Sequence, residues 1–93
     1  MKYFKRPWDE DRGDEYAGWG TSVWYFEADH SWHVVRQIEV YASGTVLRYA
    51  DDHLEDKFGM LSDQPLEPKE EYLPLEITKE EFEREWARPA FNR

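Results

Sequence analysis

The chain reads as one α+β domain, a four-stranded antiparallel meander sheet with a C-terminal helix packed on one face. Three observations predict this. Within 32–50 (WHVVRQIEVYASGTVLRYA), two runs of β-branched and aromatic residues flank Ser43-Gly44, which marks a hairpin. Two more strand-like runs, 2–8 and 21–28, lie upstream at short spacing. Near the C-terminus, Ile77-Thr78-Lys79-Glu80-Glu81-Phe82 carries the start signature of an amphipathic helix.

In chain order, 2–8 (KYFKRPW) forms the first strand, with Phe4 and Trp8 spaced to share a face. Pro7 has no N–H to donate to a ladder, which places it at an edge or a strand end. The stretch 9–20 (DEDRGDEYAGWG) is charged, glycine-punctuated and aperiodic, so it reads as a loop. Its carboxylates Asp9, Glu10, Asp11, Asp14 and Glu15 suggest calcium. The alternating oxygen ligands that close on a glutamate at the twelfth position are missing, however, and a solvated loop is the better reading. In 21–28, Val23-Trp24-Tyr25-Phe26 is apolar without alternation, as in a strand covered on both faces.

If Ser43-Gly44 is a two-residue loop, Val40 faces Leu47 and Ile38 faces Tyr49, all four on one side of the sheet. Glu39 then meets Arg48, Tyr41 meets Val46, and Arg36 falls opposite Asp51 on the apolar side, where an ion pair is its structural role. A three-residue loop through Ala42 would shift this register. From 52 to 74 the chain carries Gly59, Pro65, Pro68 and Pro74, with Phe58-Gly59-Met60-Leu61 as its compact apolar group. So long a connection in a small domain is either functional or hides a short turn of helix. Thr78 and Glu81 form a capping box, Ile77 and Phe82 a hydrophobic staple, and Pro89 a stop, so a helix is expected over 79–87 that docks through Phe82 and Trp86.

Several of these residues fall in one pattern. A tryptophan at position 8 and an acidic loop precede Glu27-Ala28-Asp29. Trp32-x-x-x-Arg36-Gln37-Ile38-Glu39-Val40-Tyr41-x-x-Gly44 and Leu61-Ser62-Asp63-Gln64-Pro65 follow, and Glu76-Ile77-Thr78-Lys79-Glu80-Glu81-Phe82-x-x-x-Trp86 closes it. The chain thus resembles a family of small single-domain bacterial proteins of unknown function, departing from it over 51–60. The resemblance implies one domain spanning 1–93 and supplies no catalytic residue.

Charge and composition narrow the function. The net charge is −9, and it is uneven: 1–50 carry 6 basic and 8 acidic side chains, 51–93 carry 6 and 13. An acidic body disfavours nucleic acid, whose binding rests on cations neutralising phosphates, and favours association with a basic partner. The 5 Trp, 6 Tyr and 5 Phe supply core area that length cannot, or an exposed platform for a partner. With no cysteine there is no disulfide framework, thiolate zinc site or cysteine nucleophile. No apolar run suits a signal peptide or membrane helix, so a cytoplasmic location is the expectation. His30, His33 and His53 lack metal-ligand spacing, no Gly-rich phosphate loop is present, and no serine sits in a nucleophile elbow. Neither an enzyme, a metal nor a cofactor is expected.

What remains is binding. The first reading is a protein-interaction module, such as an inhibitor or immunity-type partner of a basic protein, using Asp51, Asp52, Glu55, Asp56 and an exposed Tyr72. The alternative is a pocket for a small anionic ligand lined by Trp32, Arg36 and Phe58, with Arg36 holding the anion. Oligomeric state is left open, since the strand carrying Pro7 reads as an edge.

Overall fold

Gly44, at φ 95°, sets the geometry of the central hairpin. The Gly44 N–H donates to Tyr41 O and the Tyr41 N–H to Thr45 O, closing a three-residue loop, Ala42-Ser43-Gly44, whose last residue needs the left-handed conformation. A computed structural model describes residues 1–92. It contains β1 (Lys2–Trp8), β2 (Ser22–Ala28), β3 (Val34–Tyr41), β4 (Val46–Tyr49), β5 (Glu55–Asp56), β6 (Gly59–Met60), α1 (Lys69–Tyr72), β7 (Glu76–Ile77) and α2 (Lys79–Trp86). The main sheet is antiparallel and five-stranded, in the order β4-β3-β2-β1-β7; β5 and β6 form a separate two-stranded hairpin.

The fifth strand, β7, corrects the expected four. Its two residues pair with Tyr3 and Phe4, so β1 is outermost only beyond them, where Pro7 lies. The three-residue loop also corrects the register. Val40 pairs with Val46, Glu39 with Leu47 and Ile38 with Arg48, one step from the two-residue arrangement. Because side chains alternate, that step moves Leu47 and Tyr49 to the face opposite Ile38 and Val40. Arg36 does not meet Asp51. The one-step change in the hairpin removes that pairing, and on its other side Arg36 lies directly across from Glu27, the last pair of the regular β2–β3 register before a bulge between Glu27 and Ala28.

Two faces result. On one, Tyr3, Tyr25, Ile38 and Val46 are closed over by Phe82 of α2, with Trp86 packed alongside. Thr78 caps this helix, its Oγ1 accepting from the Glu81 N–H at 3.1 Å. Phe82 is fully buried, and removing such a ring from water contributes about 1.5–3 kcal/mol. The other face carries rows that cross the strands: Phe4, Phe26, Gln37 and Tyr49; Arg6, Trp24, Glu39 and Leu47; Trp8, Ser22 and Tyr41. The long connection covers most of it: Gln37, at its centre, donates to Met60 O and accepts from the Ser62 N–H. Leu66 and Tyr72, with Trp32, bury Phe4 and Phe26, while Phe58 and Trp19 pack on Tyr41, Leu47 and Tyr49. The hairpin β5–β6 and α1 give the connection its order, so it is not a bare loop. No helix among the described residues is long and apolar enough to cross a membrane.

Candidate binding face

The part of this second face left open, around Trp8 and Trp24, forms a depression that combines aromatic walls with a buried carboxyl. A cavity of about 400 Å³ is bordered by Trp8, Arg12, Trp24, Glu39, Tyr41 and Phe58, among others. A second, of about 360 Å³, lies between Arg6, Trp8, Trp24, Phe26, Glu67 and Tyr72. They share Trp8 and Trp24, which stand diagonally on adjacent strands: Trp24 pairs with Arg6 and Trp8 with Ser22. Trp8 is 46% exposed. The Trp24 indole N–H is committed to Ser22 Oγ at 2.9 Å, so this ring offers its apolar surface rather than a free donor.

Glu39 stands on the floor, 2% exposed. Burial pushes its carboxyl up, against the lowering effect of hydrogen bonds from Tyr41 and Gln37 and of the nearby Arg12. The Tyr41 hydroxyl donates to it at 2.5 Å and Gln37 Nε2 at 2.9 Å, while Arg12 Nη1 lies 3.9 Å away. Arg12 comes from the acidic loop and turns inward. It donates to the Tyr41 hydroxyl at 3.0 Å, to Asp14 and to the Phe58 carbonyl, and its guanidinium lies over the rings of Tyr16, Trp19 and Tyr41. Two of the loop's carboxylates shape it locally: Asp11 accepts from the Gly13 N–H, and Asp14 from the Tyr16 N–H and from Arg12. Glu10, Asp11 and Asp14 border the first cavity and Glu67 the second, all at exposed positions.

The residues picked from the sequence fall elsewhere in part. Arg36 sits on the helix-covered face, its guanidinium between Glu27 and Glu83 and over the rings of Phe82 and Trp86. The Glu83 hydrogen bond is the main cause that raises its pKa, followed by Glu27 after the opposing effect of burial. Trp32 and Phe58 belong to two different clusters on the opposite face, so the trio does not converge. Trp32 adopts φ 66° and stacks on Phe4.

Asp51, Asp52 and Glu55 are exposed. Asp56 is not a free surface charge: it accepts from the Tyr49 hydroxyl, His53 Nε2, Asn92 Nδ2 and the backbone N–H groups of Phe58 and Gly59. Partial burial works to raise its carboxyl, and these hydrogen bonds outweigh it, holding it well below the usual carboxylate range. Tyr72 is 8% exposed, edge-on to Phe4 and Phe26, and lines the second cavity. Among the described residues, no group of three His, Cys, Asp or Glu is placed to hold a metal ion.

Sequence reasoning passed over Trp8, Trp24 and Arg6 as a unit. The alternation of 4, 6 and 8 against 22, 24 and 26 contained the signal, once β1 and β2 are taken as a pair. Together these features define a small α+β domain with one helix-covered sheet face and a second face left open only around Trp8 and Trp24. The chain belongs to the DUF6881 family, a domain of unknown function, whose model matches residues 2–90. No curated protein and no solved structure matches it.

Proposed function

We propose that this protein is a protein-interaction module that binds a basic partner, in the manner of an inhibitor or immunity-type protein. The observation that carries this reading is the open face itself, where an exposed indole and a shared aromatic strip are bordered by carboxylates. The cations near it are already engaged: Arg12 by Asp14, and Arg6 by Glu71 at 3.4 Å. An excess of nine negative charges would accelerate encounter with a basic surface. An anion held at Arg36 finds less support, because that guanidinium makes hydrogen bonds of 2.6 to 3.1 Å to two carboxylates.

The test is affinity capture from host lysate with the intact chain, washed at low and high salt. A parallel capture uses the chain carrying Asp51→Asn, Asp52→Asn and Glu55→Gln, which leaves Asp56 in place. One stoichiometric basic protein, released by salt and recovered less by the variant, supports the reading. Equal recovery by both, insensitive to salt, overturns its electrostatic basis.

A further inference from the structure

We infer that the strip formed by Trp8 and Trp24, with Tyr72 as a wall of the adjoining depression, receives an extended basic segment of that partner, one arginine or lysine side chain lying against Trp8. This rests on the basic-partner reading above and names the surface and the chemistry. Two adjoining depressions of about 400 and 360 Å³ have room for side chains on either side of the two indoles they share. Tryptophan exposed to this extent beside a concave surface is the residue type that anchors protein interfaces.

Charge selects the occupant. Glu10 and Asp11 border one depression and Glu67 the other, so a carboxylate stands near each. Glu39 adds a buried carboxyl to the floor. An anionic segment would meet five carboxyl groups, with the two bordering arginines already paired to Asp14 and Glu71, whereas a cationic one finds those carboxyls beside an aromatic strip. The molecule's own cations already use this chemistry. Arg12 lies 5.4 Å from the Trp19 ring centre, Arg48 5.1 Å from Trp86 and Lys69 5.6 Å from Trp32, and Arg6, paired with Glu71, lies 4.9 Å from Tyr72 and 5.7 Å from Trp8 itself. A second copy of this chain is a poor occupant, because it brings the same net charge of −9.

The experiment titrates isotope-labelled protein with the peptide Gly-Arg-Gly-Arg-Gly, following backbone and indole N–H resonances. Peptides with citrulline or glutamate in place of arginine, and a proline-rich peptide, serve as comparisons. The expected result is a saturable shift centred on Trp8, Trp24 and Arg6 with the arginine peptide alone. It is weakened about tenfold by Trp8→Ala and several-fold by Glu10→Gln with Glu67→Gln. Trp8 is half in solvent, so its replacement leaves the core intact, and an unchanged thermal transition verifies this. Shifts confined to Asp51–Glu55 or the outside of α2, unchanged by Trp8→Ala, overturn the groove and leave the basic-partner reading standing. Equal binding of the citrulline or proline-rich peptide overturns the choice of a cation. No shift with any peptide, together with no salt-released protein in the capture, overturns both.

Discussion

Arg36 Nε donates to Glu27 Oε1 at 2.6 Å across the β2–β3 ladder, and the same guanidinium forms a paired contact with Glu83 of α2 at 3.1 and 2.7 Å. One side chain therefore ties two strands to the helix that closes over them. Glu27 is buried, and Arg36 is the cation paired with it. Arg36→Ala is expected to lower stability by about 3 kcal/mol, mostly by stranding Glu27. Glu83→Ala, which removes a more exposed carboxylate, costs about 1 kcal/mol or less. Urea unfolding of both variants measures the difference; equal losses would show that the helix contact, not the strand pair, dominates.

Asp56 and Glu39 respond to acid with opposite signs. The folded carboxyl of Asp56 is held below its unfolded value of about 3.9, so the folded state binds fewer protons there. Its contribution is present above about pH 4 and is lost as pH falls further. Burial raises Glu39, whose folded state gains relative stability as pH drops and loses it as pH climbs through the raised value. Stability followed by denaturant midpoint from pH 7 to 3 should therefore fall most steeply at the acid end, below about pH 4. Asp56→Asn should flatten that acid limb. A limb unchanged in the variant would remove Asp56 as its cause.

Asn92 joins the chain's last described turn to the sheet. Its side-chain oxygen accepts from the Arg48 N–H at 3.1 Å, while its nitrogen donates to Arg48 O at 3.2 Å and to Asp56 at 2.9 Å. Asn92→Ala is expected to cost about 1–2 kcal/mol. Hydrogen exchange should quicken at the Arg48 amide and leave β1 and β2 protected. Uniform acceleration would mean global loss instead.

Gly44 and Gly18 offer a matched pair. An added Cβ meets nothing within 4 Å at either, but only Gly44 has positive φ. Gly44→Ala should destabilise by about 1–2 kcal/mol through backbone strain, and Gly18→Ala should stay within about 0.5 kcal/mol. Thermal unfolding of the two variants distinguishes conformation from crowding.

Elements with a strong local cause were legible in the sequence. Lys2–Trp8 matches its expected span, and Thr78 caps α2 as its spacing implied. The register was not, because it turns on whether Gly44 closes a two- or a three-residue loop, and composition suits both. That single step decided which face Leu47 and Tyr49 occupy and removed the Arg36–Asp51 pair. The two-residue strand β7 is too short to leave a period. Asp56 looked like one more surface acid, since nothing local announces five donors that arrive from Tyr49, His53, Phe58, Gly59 and Asn92. The aromatic strip was hidden for the same reason: Trp8 and Trp24 are sixteen residues apart, and pairing alone makes them neighbours.

The contacts of Phe91 and Asn92 have a further consequence for how copies of this protein behave at high concentration. β4 is the last strand on its side, and such a strand offers unpaired backbone groups to any passing chain. Here the Phe91 N–H takes Val46 O at 2.7 Å, and the Asn92 amide occupies both backbone groups of Arg48 like a short false strand. Three outward backbone groups of β4 are thereby withdrawn from pairing with another chain. A single side-chain amide thus does for the edge what a further strand would otherwise do.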